Sequence, residues 1–150
     1  MNNRFEKLIF FPFVIGIIIL GACSDNVWNE LPSPLTSFIE RYYPGSGVSQ
    51  FMQDDNCYKV KINNGATLIF DSEYNWLSID GNGVRLPEVI VYDEVPPALF
   101  SYLQGTAQQG SVYRMRRDKN YYKLTMEDTV ITYDISSGKV TYPDGTTLDS

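Results

Sequence analysis

The sequence from residue 31 onward repeats itself at an offset of 64 positions. Residues 31–62 align with residues 95–126 without a gap, and the two segments share eight identities in 32 positions. The identical pairs are Pro32/Pro96, Leu35/Leu99, Ser37/Ser101, Val48/Val112, Asp54/Asp118, Asn56/Asn120, Tyr58/Tyr122 and Lys59/Lys123. Loss of one turn residue then shifts the offset to 63, and the apolar pattern continues. A fixed period of this size predicts two copies of one supersecondary unit.

Each copy begins with a predicted helix. In the first copy apolar residues recur at helical spacing after Pro34, and Pro44-Gly45 ends the pattern. These residues are Leu35, Phe38, Ile39 and Tyr42. The second copy has a shorter stripe of Leu99, Phe100, Tyr102 and Leu103. Both stripes are typical of helices that pack against a core.

Strands follow the helix in each copy. Tyr58, Val60 and Ile62 alternate with lysines, so one strand face is expected to be buried and the other exposed. Residues 63–65 (Asn-Asn-Gly) predict a hairpin turn. Strict alternation along the last strand of the first copy predicts that Trp76 points outward. The order predicts an α+β protein: two tandem α-β-β-β-β units form one antiparallel sheet with helices on one face.

The N-terminal segment predicts export. A polar lead with Arg4 and Lys7 precedes an apolar run over residues 8–20, which is too short for a stable membrane helix. The run ends in residues 20–23, Leu-Gly-Ala-Cys. This ending resembles the lipobox of bacterial lipoproteins, and the resemblance implies that Cys23 is lipidated and becomes the mature N-terminus. An ordinary signal peptide cut near Ala22, or an uncleaved anchor, is the alternative.

Composition argues against an enzyme. The chain has no histidine, so a Ser-His-Asp or Cys-His centre and an imidazole metal site are excluded. A formal charge of −6 argues against nucleic-acid binding. Residues 80–83 (Asp-Gly-Asn-Gly) are interpreted as a turn rather than a calcium loop, and Cys57 as a strand residue without chemistry. We therefore expect no catalytic residue, metal or cofactor.

The spacing of several motifs resembles a known family. Leu31-Pro32, residues 38–45 (Phe-Ile-Glu-Arg-Tyr-Tyr-Pro-Gly), residues 58–62 and Trp76 are similar to the PepSY-like, beta-lactamase-inhibitor-like lipoproteins of bacteria. The similarity covers residues 31 to about 142, and the second copy matches less well in its loops. It implies that the tandem units form one sheet whose free surface can receive a partner. It does not imply inhibition of any lactamase.

The resulting domain prediction has five segments. They are a signal peptide at 1–22, a lipidated tether at 23–30, unit 1 at 31–83, an extended connector at 84–94 that ends in a helix start, and unit 2 at 95–150. The expected location is the cell envelope, with a lipid anchor in the outer membrane and the protein on its periplasmic or surface side.

The predicted function is binding of an envelope protein or peptide through the outward sheet face, with an inhibitory or regulatory effect. The candidate contact residues are Lys59, Lys61, Ile69, Trp76, Lys123 and Lys139. The alternative for Trp76 is packing under the connector. A glycan or small-ligand module that uses Tyr74 for stacking is the alternative function. The basic cluster Arg114, Arg116, Arg117 and Lys119 fits either an acidic partner or lipid headgroups, or else a charged edge strand.

Overall fold

The computed structural model describes residues 24–63 and 65–150. The predicted signal peptide, Cys23 and Asn64 lie outside the described residues. The helices are α1 (Ser24–Glu30), α2 (Ser33–Tyr42), α3 (Glu88–Glu94) and α4 (Pro97–Gly105). The strands are β1 (Val48–Gln53), β2 (Cys57–Ile62), β3 (Thr67–Asp71), β4 (Trp76–Asp80), β5 (Val112–Arg117), β6 (Tyr121–Met126), β7 (Val130–Asp134), β8 (Lys139–Thr141) and β9 (Thr147–Asp149).

All nine strands form one antiparallel sheet in which spatial order follows sequence order from β1 to β9. The two units therefore lie side by side, and β4 of the first unit pairs directly with β5 of the second. In that pair Ser78 faces Arg116 and Ile79 faces Met115. The predicted α+β class and single antiparallel sheet are confirmed.

One apolar core joins the helices to one face of the sheet. Helix α2 buries Leu35, Ile39 and Tyr42, and α4 buries Leu99 and Leu103, in agreement with the predicted stripes. Alternate apolar residues of β1 to β8, except at the bulges, join the same core, and no polar residue among those described is fully buried. Within the described part of the chain, no helix has the length and apolar character needed to cross a membrane.

The repeat extends to details of register. A β-bulge interrupts the β1–β2 pairing between Val48 and Gln50, and the same bulge recurs between Val112 and Arg114 in the β5–β6 pairing. The following turns also match, because the backbone N–H of Asp54 donates to the Cys57 carbonyl oxygen over 3.0 Å and Asp118 repeats this bond to Tyr121. Equivalent residues thus make equivalent backbone contacts in both units.

The repeating unit contains one more helix than the sequence analysis predicts. Helix α3 occupies residues 88–94, where an extended connector with only a helix start is expected, so the extended conformation is wrong for this stretch. At the same 64-residue offset, α1 occupies residues 24–30 of the predicted tether. Val27 and Val91 are equivalent and both are buried, so each short helix adds to the core of its unit.

Candidate binding face

The sheet face opposite the helices, which we call the open face, carries a continuous row of side chains. Successive register pairs connect one residue from each strand across the whole sheet. This central row runs Met52, Lys59, Ile69, Ser78, Arg116, Lys123, Thr132, Thr141, Thr147. None of the nine is buried, and all of them face solvent on the same side.

The central row is cationic. Lys59, Arg116 and Lys123 form no salt bridge with any described residue, and the row contains no carboxylate. Arg116 and Lys123 lie directly opposite each other in the β5–β6 pair, where like charges repel. The row therefore places uncompensated positive charge at the middle of the sheet.

A second row runs parallel to the first across seven strands. Its members in order are Gln50, Lys61, Thr67, Asp80, Arg114, Thr125 and Val130. Arg114 pairs with Asp80 at 2.5 Å between Nη2 and Oδ2, so these two charges neutralise each other. Lys61 is exposed and has no salt bridge among the described residues.

Apart from Asp80, which is paired with Arg114, the acidic side chains on the open face lie at the strand ends beyond these rows. Asp71 and Asp134 occupy equivalent positions, and each accepts backbone N–H bonds within its own turn. Hydrogen bonds from the Ser136 hydroxyl and the Ser137 N–H lower the pKa of Asp134 to about 2. Lys139 faces Asp149 in the β8–β9 register. The carboxylates stabilise turns at the rim and leave the two rows positive.

Trp76 does not lie on the open face. Its side chain is only 2% exposed, so the outward prediction is wrong and Trp76 is not an exposed contact residue. The cause is a bulge in the β3–β4 pairing, where Ile69 faces Ser78 but Phe70 faces Trp76. Leu77 is the extra residue, and it turns Trp76 to the helix side with Ile79.

Trp76 instead holds the two units together. Its indole Nε1 donates to Glu94 Oε2 over 2.7 Å, and the Tyr42 hydroxyl donates to Glu94 Oε1. The guanidinium of Arg117 lies 4.4 Å from the indole centroid, and Arg117 Nε donates to the Trp76 carbonyl oxygen over 2.6 Å. Since Glu94 ends the predicted connector, the alternative of packing under that segment agrees with these contacts.

The basic cluster divides between the two sides of the sheet. Arg114 and Arg116 point to the open face, whereas Arg117 stacks on Trp76 on the helix side. Strand β5 is the fifth of nine strands and is paired on both sides, so the interpretation of a charged edge strand is wrong. Arg116 consequently joins Lys59 and Lys123 on the open face. Sequence alone missed it because the β4–β5 pairing is not a local property.

The remaining predicted sites have structural roles. Asp80 accepts the Asn82 N–H at Oδ1 over 2.8 Å and binds Arg114 at Oδ2, so its carboxylate stabilises a turn. The Cys57 thiol donates to Asp54 Oδ2 over 3.3 Å, and burial followed by this bond raises the pKa of Cys57. No group of three His, Cys, Asp or Glu residues within the described ranges is placed to hold a metal ion.

Comparison with known proteins gives a family and structural relatives. The family described as "putative beta-lactamase-inhibitor-like, PepSY-like" matches twice, over residues 27–78 and 56–141. A comparison with curated proteins gives no match.

Three solved structures from Bacteroides share the fold. A "putative periplasmic protein" of Bacteroides vulgatus has a TM-score of 0.63 and 21% identity, over 81% of this chain and 91% of that chain. A "putative calcium-regulated periplasmic protein" of Bacteroides thetaiotaomicron has a TM-score of 0.62 and 21% identity, with the same coverage of 81% and 91%. A second Bacteroides vulgatus protein, "of unknown function", has a TM-score of 0.60 and 24% identity, over 71% and 86%.

At these identities the solved structures show the fold alone. The family match covers most of the chain, because its two overlapping segments together extend from α1 to the end of β8. It also agrees with the motifs around residues 31–45 and 58–62. The chain therefore belongs to the PepSY-like, beta-lactamase-inhibitor-like family.

Proposed function

We propose that this chain is a lipid-anchored protein of the cell envelope whose open face binds an acidic surface of a protein partner. The central row carries the proposal, because it crosses all nine strands and holds three cations without salt bridges among the described residues. The contact residues are Lys59, Lys61, Ile69, Arg116 and Lys123, with Lys139 at the rim.

Charge complementarity favours an acidic partner. The chain as a whole has a formal charge of −6, yet the two rows hold five cations and only one carboxylate, Asp80. A positive surface on an acidic protein orients an approaching acidic surface and speeds its association. Ile69 lies between Lys59 and Ser78 in the central row and supplies an apolar contact within the charged surface.

The size of the open face favours a macromolecule over a small ligand. Nine strands at about 4.8 Å spacing extend for roughly 40 Å, which matches a protein interface, whereas small ligands bind in concave pockets. Tyr74, the residue of the glycan alternative, stacks on Tyr58 with 5.2 Å between ring centroids. One face of its ring is thereby occupied, which leaves Tyr74 a smaller stacking platform than an isolated ring.

The proposed effect on the partner is regulatory. Neither row holds a histidine, a thiol or a pair of free carboxylates, so we assign the two rows to contact with a partner rather than to covalent or acid–base chemistry. Binding would act by covering the partner's surface, as the family description "inhibitor-like" suggests. The partner is identified here only by its chemistry, an acidic protein surface within the envelope.

The lipid anchor has a direct test. The apolar run and Cys23 support lipidation, and the periplasmic descriptions of the structural relatives agree with export. In a detergent phase separation, the wild-type chain is expected in the detergent-rich phase and the Cys23→Ala variant in the aqueous phase. A processed Cys23→Ala protein that stays in the detergent-rich phase contradicts lipid anchoring at this residue.

Binding by the open face is tested by charge reversal. We expect Lys123→Glu to lose the partner that immobilised wild-type protein recovers from envelope extract, with at least about tenfold less recovered. Lys119→Glu is the matched control, because it makes the same charge change in the β5–β6 turn and should recover the partner normally. Recovery should also fall as salt concentration rises, since exposed charges are screened.

The outcomes separate the function from general charge effects. Equal loss with Lys119→Glu indicates that only net charge matters, and equal recovery by Lys123→Glu rules out the central row as the contact surface. Thermal unfolding of both variants is measured alongside, and each should remain within about 0.5 kcal/mol of wild type because both side chains are exposed.

A further inference from the structure

The outer edge of β1 corresponds, in the second unit, to the edge of β5 that pairs with β4. Strand β1 corresponds to β5 at the 64-residue offset, with the same bulge and the same following turn. Strand β5 pairs with β4 on one side and β6 on the other, whereas β1 pairs only with β2 among the described residues. The second unit therefore shows what a strand beside β1 would look like.

We propose that the outer edge of β1 binds an extended segment of a partner protein, which adds to the sheet as an antiparallel strand in the way that β4 adds to β5. This site is separate from the open face, and its occupant resembles β4 in pattern. Strand addition of this kind takes its affinity from main-chain hydrogen bonds and its specificity from alternate side chains.

Register supplies the template for this strand. Arg114, Met115 and Arg116 pair with Asp80, Ile79 and Ser78 of β4. The equivalents of the three β5 residues on β1 are Gln50, Phe51 and Met52. The added strand is thus expected to place an aliphatic residue opposite Phe51 and a small polar residue opposite Met52.

The backbone of β1 presents the groups that this pairing needs. Because Asp54 N–H donates to the Cys57 carbonyl oxygen, the alternation of antiparallel bonds directs the N–H and C=O of Phe51 to the free edge. In the second unit the Tyr113 carbonyl oxygen, equivalent to that of Ser49, accepts the Gly81 N–H over 2.9 Å. The same bonding positions therefore exist on both strands.

Strand β1 lacks the features that protect edge strands. It is six residues long and has no charged residue and no proline. Phe51 is half-buried where its equivalent Met115 is 0% exposed, and Met52 is 42% exposed. The opposite edge, β9, has three residues and ends in Asp149. Of the two edge strands, β1 is the longer and the one without a charged residue, and it carries the apolar side chains Phe51 and Met52.

Helix α1 adds a second equivalence at this edge. Glu94, at the end of α3, accepts hydrogen bonds from Trp76 and Tyr42 of the preceding unit. Glu30 is its equivalent at the end of α1, is exposed, and accepts no hydrogen bond from the residues that the structure describes. An incoming strand with a donor side chain at the position of Trp76 would reach Glu30. We therefore expect the added strand to carry an aliphatic residue opposite Phe51 and a side chain that donates a hydrogen bond to Glu30.

The chain's own β4 sequence is the probe for this site. A synthetic peptide of residues 74–82 is added to the full chain in detergent micelles, and amide hydrogen exchange is followed by residue. We expect the Phe51 and Gln53 amides to exchange at least about tenfold more slowly with peptide, while amides in β6 are unchanged. A peptide carrying Ile79→Asp should bind at least about tenfold more weakly, because its aspartate would face the apolar side of Phe51.

Two matched lysine variants test the edge on the protein. Phe51→Lys places an inward-pointing charge on the edge strand and should weaken peptide binding at least about tenfold. Leu148→Lys is the control, because it makes the same apolar-to-lysine change on β9, the opposite edge strand, and it should bind the peptide normally. Far-UV circular dichroism checks both folds, and the Ile79→Asp peptide with wild-type protein provides the test if Phe51→Lys does not fold.

Three results would overturn the proposal. The first is unchanged exchange at Phe51 and Gln53 in wild-type protein at saturating peptide. The second is equal binding of the wild-type and Ile79→Asp peptides. The third is sedimentation evidence that the chain dimerises by itself and that Phe51→Lys abolishes the dimer, which would assign the edge to a second copy. The Lys123→Glu test of the open face is independent of these results, since Lys123 lies five strands from β1.

Discussion

At the scale of single residues, Trp76 shows how one additional residue changes the role of its neighbour. Alternation along β4 assigns the tryptophan and Ser78 to the same face, but the bulge at Leu77 separates them. The indole then meets Glu94 and Arg117 on the helix side. Because β4 begins directly after a turn, the alternation of apolar and polar residues does not show where the extra residue lies. The sequence alone therefore could not place Trp76 on the helix side.

Aspartates at turn positions are the other recurring residue-scale feature. Asp54 and Asp118 each accept two backbone N–H bonds. At the next turn Asp71 also accepts two backbone N–H bonds, whereas Asp134 accepts one backbone N–H bond and one from the Ser136 hydroxyl. These bonds favour the ionised carboxylate, and the pKa of each of the four is lowered. The repeat therefore conserves turn chemistry between its two copies as well as apolar pattern.

The lowered pKa of Asp134 gives a pH-dependent prediction. Its pKa is about 2 in the folded chain against a usual 3.8, so the folded state binds fewer protons in this range and stability rises with pH. The contribution is present above pH 3.8 and is lost as pH falls toward 2. We expect Asp134→Asn to lower the melting temperature at pH 7 and to match wild type near pH 2. A difference that is constant across this range contradicts the assignment.

At the scale of elements, apolar periodicity in the sequence predicts the longer helices and most strands but not the two seven-residue helices. Helices α2 and α4 and strands β2, β3, β6 and β7 follow from apolar periodicity, because each buries residues at regular spacing. Helices α1 and α3 have seven residues each, too few for a periodic signal. Their presence depends on packing against the rest of the unit, as the buried Val27 and Val91 show.

The turn after β4 is the element with the least room for change. A Cβ built on Gly81 would lie 1.9 Å from the Val84 carbonyl oxygen and 3.2 Å from that of Tyr113. Gly81 N–H also donates to the Tyr113 carbonyl oxygen, which connects this turn to β5. The glycine is thus required by close backbone approach at the junction between the units.

Alanine at this position has an expected cost. Gly81→Ala should lower the free energy of unfolding by about 1–3 kcal/mol, because the backbone must move to admit the methyl group. Gly105→Ala at the end of α4 is the matched control, since nothing lies within 4 Å of its Cβ position and its φ is not positive. The control should be neutral or slightly stabilising in urea unfolding. Equal effects at both positions would show that space around Gly81 is not limiting.

At the scale of the whole molecule, the two units share one continuous sheet and a bonded junction. The sheet continues through the β4–β5 pair, and Trp76, Tyr42 and Glu94 bond across the junction. Arg41 of α2 also binds Asp93 of α3 at 2.7 Å. A repeat protein with separate units would lack such an interlocked boundary, so unfolding is expected to occur in one step.

Calorimetry tests this junction. Wild-type chain should unfold in a single transition whose calorimetric and van't Hoff enthalpies agree. Trp76→Phe removes the indole N–H and should cost about 2–4 kcal/mol, because Glu94 loses a donor and the core loses volume. Trp28→Phe is the control at a half-buried position and should cost less. Two resolved transitions in wild type would show that the units unfold independently.

By itself, the sequence determined the tandem repeat, the helix stripes, the outward positions of Lys59, Lys61, Ile69 and Lys123, and the family resemblance, because periodicity and turn residues are local properties. Only the tertiary structure decided that β4 pairs with β5, that Arg116 joins the cationic row and that Trp76 is buried at the junction. Those features depend on contacts between residues far apart in the chain, such as Trp76 and Arg117. Strand register across such a distance is set by how bulges and core packing fit together, which no single segment specifies.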